Sequence, residues 1–222
     1  VMQRRAADAP PLLLDAARRL EPLDRRVALE AYRDALIAAV YAGRFAPEKH
    51  LDVLAAAVAR LGAPYVLVAI GAGPAPPPPG DRVVVVPFVA SARELATALA
   101  SADAFVHAGD QETFGLSALE AMSCATPAVL RASAGLAELC DDNGAVGVGE
   151  GSATAFAEAI AAVFAGDRAR RARAARTRAE ANDWQRVFPS LLAHYQRLLG
   201  ARGAAAANDA ARTSALLTCA DF

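Results

Sequence analysis

The stretch SADAFVHAGDQETFGLSALEAM, Ser101 to Met122, contains a strand, a loop and a helix in turn. Ala104 to His107 is a short apolar run, the pattern of a buried strand. His107 to Glu112 is polar and contains glycine, so it reads as a loop. From Gly115 to Cys124 the residues read as a helix. Outward from this segment the same unit repeats. Ile37 to Ala42 is an apolar run closed by Gly43. Pro47 opens a helical pattern through Leu61, with Leu51, Leu54, Val58 and Leu61 at helical spacing. Tyr65 to Ile70 is a strand stopped by Gly71, and a Pro-rich turn from Pro74 to Pro79 follows. Val83 to Val86 is a third strand, and residues 91–100 read as a helix. Beyond the central segment come a strand at Ala128 to Leu130, a short helix at Gly135 to Leu139 and a strand at Ala145 to Val148. Apolar strands alternating with helices predict an α/β fold, a Rossmann-like parallel sheet with helices on both faces.

A helical extension follows, with helices over 153–164, 168–181 and 184–199. The domain boundaries read as 36–200 for the sheet domain and its extension. Residues 1–35 mix Arg, Asp and Pro with Ala and Leu and form no clear unit. The tail, 201–222, is Ala-rich and has no large residue from Gly203 until Leu216, which predicts disorder.

The 222 residues carry a formal net charge of -1, which gives no general reason to expect nucleic acid. Three cysteines at irregular spacings fit reduced thiols in a cytoplasmic protein rather than a disulfide framework or a zinc site. No uncharged apolar run is long enough to span a bilayer. The Arg run from Arg168 to Arg178 reads as a solvated helix face, with membrane or partner contact as the second reading.

In open α/β sheets ligands bind outside the carboxyl ends of the strands. Four strand ends here collect polar residues or glycines: Gly43 and Arg44; Gly71 and Gly73; His107 through Glu112; and Arg131. In GRFAPEK, Gly43 to Lys49, Arg44 follows the strand and Lys49 falls in the expected first helical turn. A bound anion between these cations would offset the unfavourable helix dipole. The bland reading is a surface Arg and a Lys paired with Glu48. In ETFGLSALE, Glu112 lies in the loop and Glu120 one turn further into the helix. Two ionised carboxylates suit a hydroxyl-rich ligand, because they only accept hydrogen bonds. The free amides of Gly115 and Leu116 suit phosphate or a sugar hydroxyl. The bland alternative is a capping Glu and a solvated one. His107 fits a ligand, a base or a satisfied core histidine.

These segments together resemble the donor-binding domain of GT-B-fold retaining glycosyltransferases of the large family 4, from about Ile37 to Leu199. The resemblance rests on GRFAPEK, IGAGP, the Ser101 to Met122 segment with its E-x7-E element, TPAV, AGLAE and the closing DWQRVFPSLLAHYQRLL. It implies that Arg44 and Lys49 bind the donor diphosphate, Glu120 the ribose and Glu112 the transferred sugar. It also implies that backbone at Phe114, Gly115 and Leu116 meets sugar and phosphate, and that backbone near Phe88 and Val89 meets the nucleobase. Gly43 and Gly71 complete the implied donor site. Ala125 and Ala134 stand where the family commonly has glycine, changes expected to tighten or distort loops beside the donor.

The implied reaction moves a sugar from a nucleotide diphosphate sugar to a hydroxyl acceptor with retention. No cofactor is expected, and no metal, since no Asp-x-Asp motif occurs. GDQETFG resembles some mannosyltransferases and points to GDP-mannose. The acceptor, a sugar or a lipid, would be bound by an N-terminal domain that is either absent or reduced to a remnant in residues 1–35, so the chain alone is expected to be inactive. Peripheral contact with the inner membrane face is part of this expectation. The rival readings are a nucleotide-sugar epimerase and a non-catalytic nucleotide-sugar-binding partner subunit.

Overall fold

The computed structural model describes residues 37–200. The segments 1–35 and 201–222, for which an unassigned unit and a disordered tail were expected, lie outside the described residues. Six strands form one sheet: β1 (Ile37–Ala42), β2 (Tyr65–Ile70), β3 (Val83–Val86), β4 (Ala104–His107), β5 (Ala128–Arg131) and β6 (Ala145–Val148). The order is β3-β2-β1-β4-β5-β6 and every pairing is parallel. The order reverses direction between β1 and β4. The crevice beyond their carboxyl ends is therefore the topological switch point of this sheet.

Alternation along the strands divides the core between two faces. Ala39 and Tyr41 of β1 and Ala104 and Val106 of β4 join the cluster under α1 (Leu51–Leu61) and α5 (Ala153–Ala165). Val40, Ala42 and Phe105 point the other way, toward α2 (Ala92–Ser101), α3 (Leu116–Ser123), the short α4 (Ala134–Ala137) and α6 (Arg168–Ala181). Leu54, Leu67, Phe105, Phe156 and Ile160 are fully buried, and each contributes about 1.5–3 kcal/mol by leaving water. Ser91 and Ser152 start α2 and α5 by accepting the amides of Glu94 and Ala155.

Two local expectations change. Pro47 does not open the helix. Pro47–Lys49 is a 3-10 turn, and His50, at φ 50° and ψ 48°, separates it from α1. Lys49 therefore sits before the helix rather than in its first turn, and the dipole argument does not apply to it. The Arg run on α6 is also less free than its composition suggests. Arg168 pairs with Asp103, Arg176 and Arg178 reach the carbonyls of Ser123 and Glu138, and Arg171 donates to the carbonyl of Asp142 at 3.0 Å. These arginines tie α6 to the loops beneath it while Ala175 and Ala179 face the core.

The chain forms two compact units, one ending at Ala179 and one beginning at Glu180. The described part of the second contains a helix over 184–200. Asp183 starts it, its carboxylate accepting the Gln185 amide at 2.9 Å. Trp184, Val187, Phe188, Leu191, Leu192 and Tyr195 recur at helical spacing along it.

Candidate donor-binding site

The loops after β1 and β4 meet at the switch point. After β1 the chain turns at Gly43, where the Gly43 amide donates to the Ile70 carbonyl at 3.0 Å. The buried Tyr41 hydroxyl donates to the Arg44 carbonyl at 2.9 Å and fixes the start of the loop. Burial and the nearby negative charge of Glu112 push the Tyr41 phenol up, so it stays protonated as a donor. Gly71 holds the neighbouring loop. Its φ is 151°, and a Cβ there would lie 1.9 Å from the Gly43 carbonyl oxygen. Gly71 thus lets the loops after β1 and β2 approach, and its neighbour Ala72 lines the cavity instead.

Lys49 and Glu112, 63 residues apart, are joined by an ion pair between Lys49 Nζ and Glu112 Oε1. His107 Nε2 lies 3.0 Å from the same oxygen. These two partners hold the Glu112 carboxyl down to about 2, the His107 hydrogen bond first and Lys49 second, against an opposing effect of burial. A depressed carboxylate contributes stability above its unfolded value, and that contribution fades as pH falls through the folded one. Glu112 is therefore expected to stay ionised from neutral pH to below 3, and its contribution to be lost between about pH 4.5 and 2. A carboxyl-carbon NMR titration reads this directly. A midpoint near 4.5 would show that neither partner engages it.

Arg44 pairs with Glu48 at 2.6 Å. The expected local partner of Lys49 therefore belongs to Arg44, while Lys49 reaches the loop after the neighbouring strand β4. The Arg44–Glu48 pair is largely exposed on the Arg side, and such pairs are worth about 0–1 kcal/mol. Arg44 is thus free to change partners at little cost.

A cavity of about 480 Å³ opens beside this cluster. Gly43, Arg44, Phe88, Val89, Ser117 and Glu120 are among its lining residues. It brings together the residues implied for phosphate, base and ribose. Lys49 and Glu112 are not in its wall and form the adjoining polar cluster. Phe114, Gly115 and Leu116 do not line it either. They shape the start of α3, which Gly115 caps at φ 87° and ψ 51° with no side-chain cap, so the first amides of the helix lack a capping side chain. Among the described residues no group of three or more His, Cys, Asp or Glu side chains is placed to hold a metal ion.

Several contributors escape sequence reading. Ser133 Oγ donates to the Asp110 carbonyl at 3.0 Å, and the Gly135 amide donates to the Glu112 carbonyl at 2.8 Å. His50 Nε2 lies 3.3 Å from Asp110 Oδ2. The loop between β5 and α4 therefore supports the main chain that carries Glu112. The two alanines at glycine-like positions keep a glycine-like backbone, with φ 60° at Ala125 and φ 47° at Ala134. Left-handed geometry costs an L-residue roughly 1–2 kcal/mol, so these loops carry strain without losing their shape.

The family model described as glycosyl transferases group 1 matches residues 37–165. A GDP-mannose-dependent alpha-(1-6)-phosphatidylinositol dimannoside mannosyltransferase of Mycobacterium tuberculosis is 36% identical over 163 residues, 69% of this chain and 42% of the relative. A GDP-mannose-dependent alpha-mannosyltransferase of Mycolicibacterium smegmatis is 34% identical over 178 residues, 75% of this chain and 45% of the relative. The chain thus spans less than half the length of these curated relatives. Among solved structures, sucrose-phosphate synthase from Thermosynechococcus elongatus superposes with a TM-score of 0.66 at 27% identity, covering 79% of this chain and 48% of that one. The parallel sheet, its helices and the match to the family model have one meaning: this chain belongs to the group 1 glycosyl transferases, on a GT-B-type Rossmann-like domain.

Proposed function

We propose that residues 37–200 form the donor side of a retaining hexosyltransferase that uses GDP-mannose and transfers mannose to a hydroxyl. The observation that carries this reading is the cavity shared by Arg44, Phe88, Val89 and Glu120, with the Lys49–Glu112 pair beside it. The donor assignment is supported by the two relatives, both GDP-mannose-dependent mannosyltransferases. In the reaction the bond from the sugar's anomeric carbon to the diphosphate breaks, and its electron pair goes to the phosphate oxygen. Arg44 and Lys49 oppose the charge that develops there, so no metal is required. The first amides of α3 add donors at the same end. Glu112 accepts hydroxyls of the sugar and orients it.

The acceptor, a sugar or a lipid, is bound by a part of the protein other than these residues. Residues 37–200 are expected to bind donor without turning it over. No described helix is long and apolar enough to cross a membrane. We place the protein in the cytoplasm, with peripheral contact at the inner membrane face where a lipid acceptor would lie.

Glu120 reads the ribose in this account. Its carboxylate is the complementary acceptor for two neighbouring hydroxyl donors. Removing one hydroxyl from a charge-assisted pair costs about 1.5–3 kcal/mol. 2′-Deoxy-GDP is therefore expected to bind at least several-fold more weakly than GDP. Glu120→Ala is expected to abolish that difference, and Glu112→Ala to preserve it. Calorimetric titration of the three proteins decides the matter. A wild type indifferent to the 2′-hydroxyl would remove the ribose assignment.

A further inference from the structure

His107 is 1% exposed at the end of β4, directly before the loop that carries Glu112. Its ring lies against Tyr41, with centroids 5.5 Å apart, and near Phe105 at 6.4 Å. Both ring nitrogens are engaged. The Gly109 amide donates to Nδ1 at 3.1 Å. Nδ1 is therefore the acceptor, and the proton of the neutral ring sits on Nε2. Nε2 then donates to Glu112 Oε1 at 3.0 Å. Gly109 makes this possible, since a Cβ at that position would lie 2.6 Å from the imidazole Cε1.

Glu112 is thus held from two directions. Its carbonyl accepts the Gly135 amide, which fixes the main chain. Its Oε1 takes both His107 and Lys49, which fixes the side chain. Oε2 has no hydrogen-bond partner among the described residues.

We propose that His107 is a positioning residue: with Lys49 it occupies Oε1 of Glu112 and leaves Oε2 as the single acceptor presented to a hydroxyl of the transferred sugar. The proposal rests on the assignment of Glu112 to the sugar. A carboxylate free to rotate would offer either oxygen in several directions. One pinned through Oε1 offers a single oxygen in a single direction, which discriminates between hydroxyl stereochemistries. Lys49 alone does not achieve this. Its ammonium is a point charge on a flexible stem, whereas the imidazole is a planar donor locked by packing and by the Gly109 amide.

The test compares His107→Gln with His107→Asn in the full 222-residue chain. The Gln amide reaches the place of Nε2 and can still donate to Glu112. The Asn amide stops near the place of Nδ1 and falls short. Two quantities are read, the Glu112 carboxyl titration by NMR and the dissociation constants for GDP and GDP-mannose. The Asn variant is expected to raise the titration midpoint by more than one pH unit and to weaken GDP-mannose about five-fold or more, with GDP changed less than about two-fold. The Gln variant is expected to stay near wild type in both. Matching titrations for the two variants, or equal losses for GDP and GDP-mannose in the Asn variant, would overturn the proposal. Unchanged GDP affinity serves as the check that both variants fold. If the wild type binds neither ligand while the Asn variant alone shifts the titration, the hold on Glu112 stands. The donor reading and the sugar-presenting role both fall in that case.

Discussion

Lys49→Ala is expected to weaken GDP binding by about tenfold or more, and by more than Arg44→Ala does. A hydrogen bond to a charged group is worth roughly 1.5–3 kcal/mol, and about 1.4 kcal/mol is already a factor of ten. Arg44 supplies one such contact after leaving an exposed partner, Glu48. Lys49 does two things at once. Its ammonium has three donors, of which the pairing with Glu112 Oε1 uses one, so others remain for phosphate. It also neutralises Glu112, a carboxylate held ionised next to the place where the diphosphate arrives. Without Lys49 that negative charge faces an anionic ligand. Guanosine binding, which needs neither effect, is expected to change little. The Lys49→Ala, Glu112→Gln double variant is expected to recover part of the loss, because the repelling charge is gone. Equal losses for GDP and guanosine would locate the effect in folding. A double variant as weak as the single one would show that Glu112 does not act on the diphosphate.

The largest expected effect on stability belongs to Gly135. A Cβ there would lie 2.2 Å from the Thr113 carbonyl oxygen, 2.3 Å from its carbon and 2.6 Å from the Phe114 nitrogen. All three are backbone atoms, so no side chain can swing aside. Gly135→Ala must move the loop that carries Glu112 and stretch the bond from the Gly135 amide to the Glu112 carbonyl. Overpacking of this kind costs about 1–3 kcal/mol or more. For a chain of this size the melting temperature is expected to fall by roughly 2–12 °C. Gly149→Ala is the control, since nothing lies within 4 Å of a Cβ at that position. Similar melting of the two variants would show that the Gly135 contact is not tight in solution.

The sheet was legible because most strands are short apolar runs ended by glycine or a polar group, and parallel strands buried on both faces need that pattern. The cavity residues Arg44 and Glu120 were legible because they sit at a strand end and one helical turn inside α3. The helix start at Pro47 was misread because His50 adopts a left-handed conformation that no residue pattern announces. The Lys49–Glu112 pair was not legible either. Its partners are 63 residues apart, and the nearer carboxylate, Glu48, made a plausible local alternative. His107 stayed open between a ligand, a base and a core histidine, because its contacts with the Gly109 amide and with Glu112 are set by the backbone path of the loop. The arginines of α6 read as a solvated face because carbonyl partners on distant loops leave no trace in sequence.

The most direct test of the central claim is a crystal structure of the 222-residue chain with GDP bound. The account predicts the diphosphate within hydrogen-bond distance of both Arg44 and Lys49, the ribose hydroxyls on the Glu120 carboxylate and the guanine against Phe88 and Val89. A diphosphate bound away from Arg44 and Lys49, or a ribose turned away from Glu120, would contradict it.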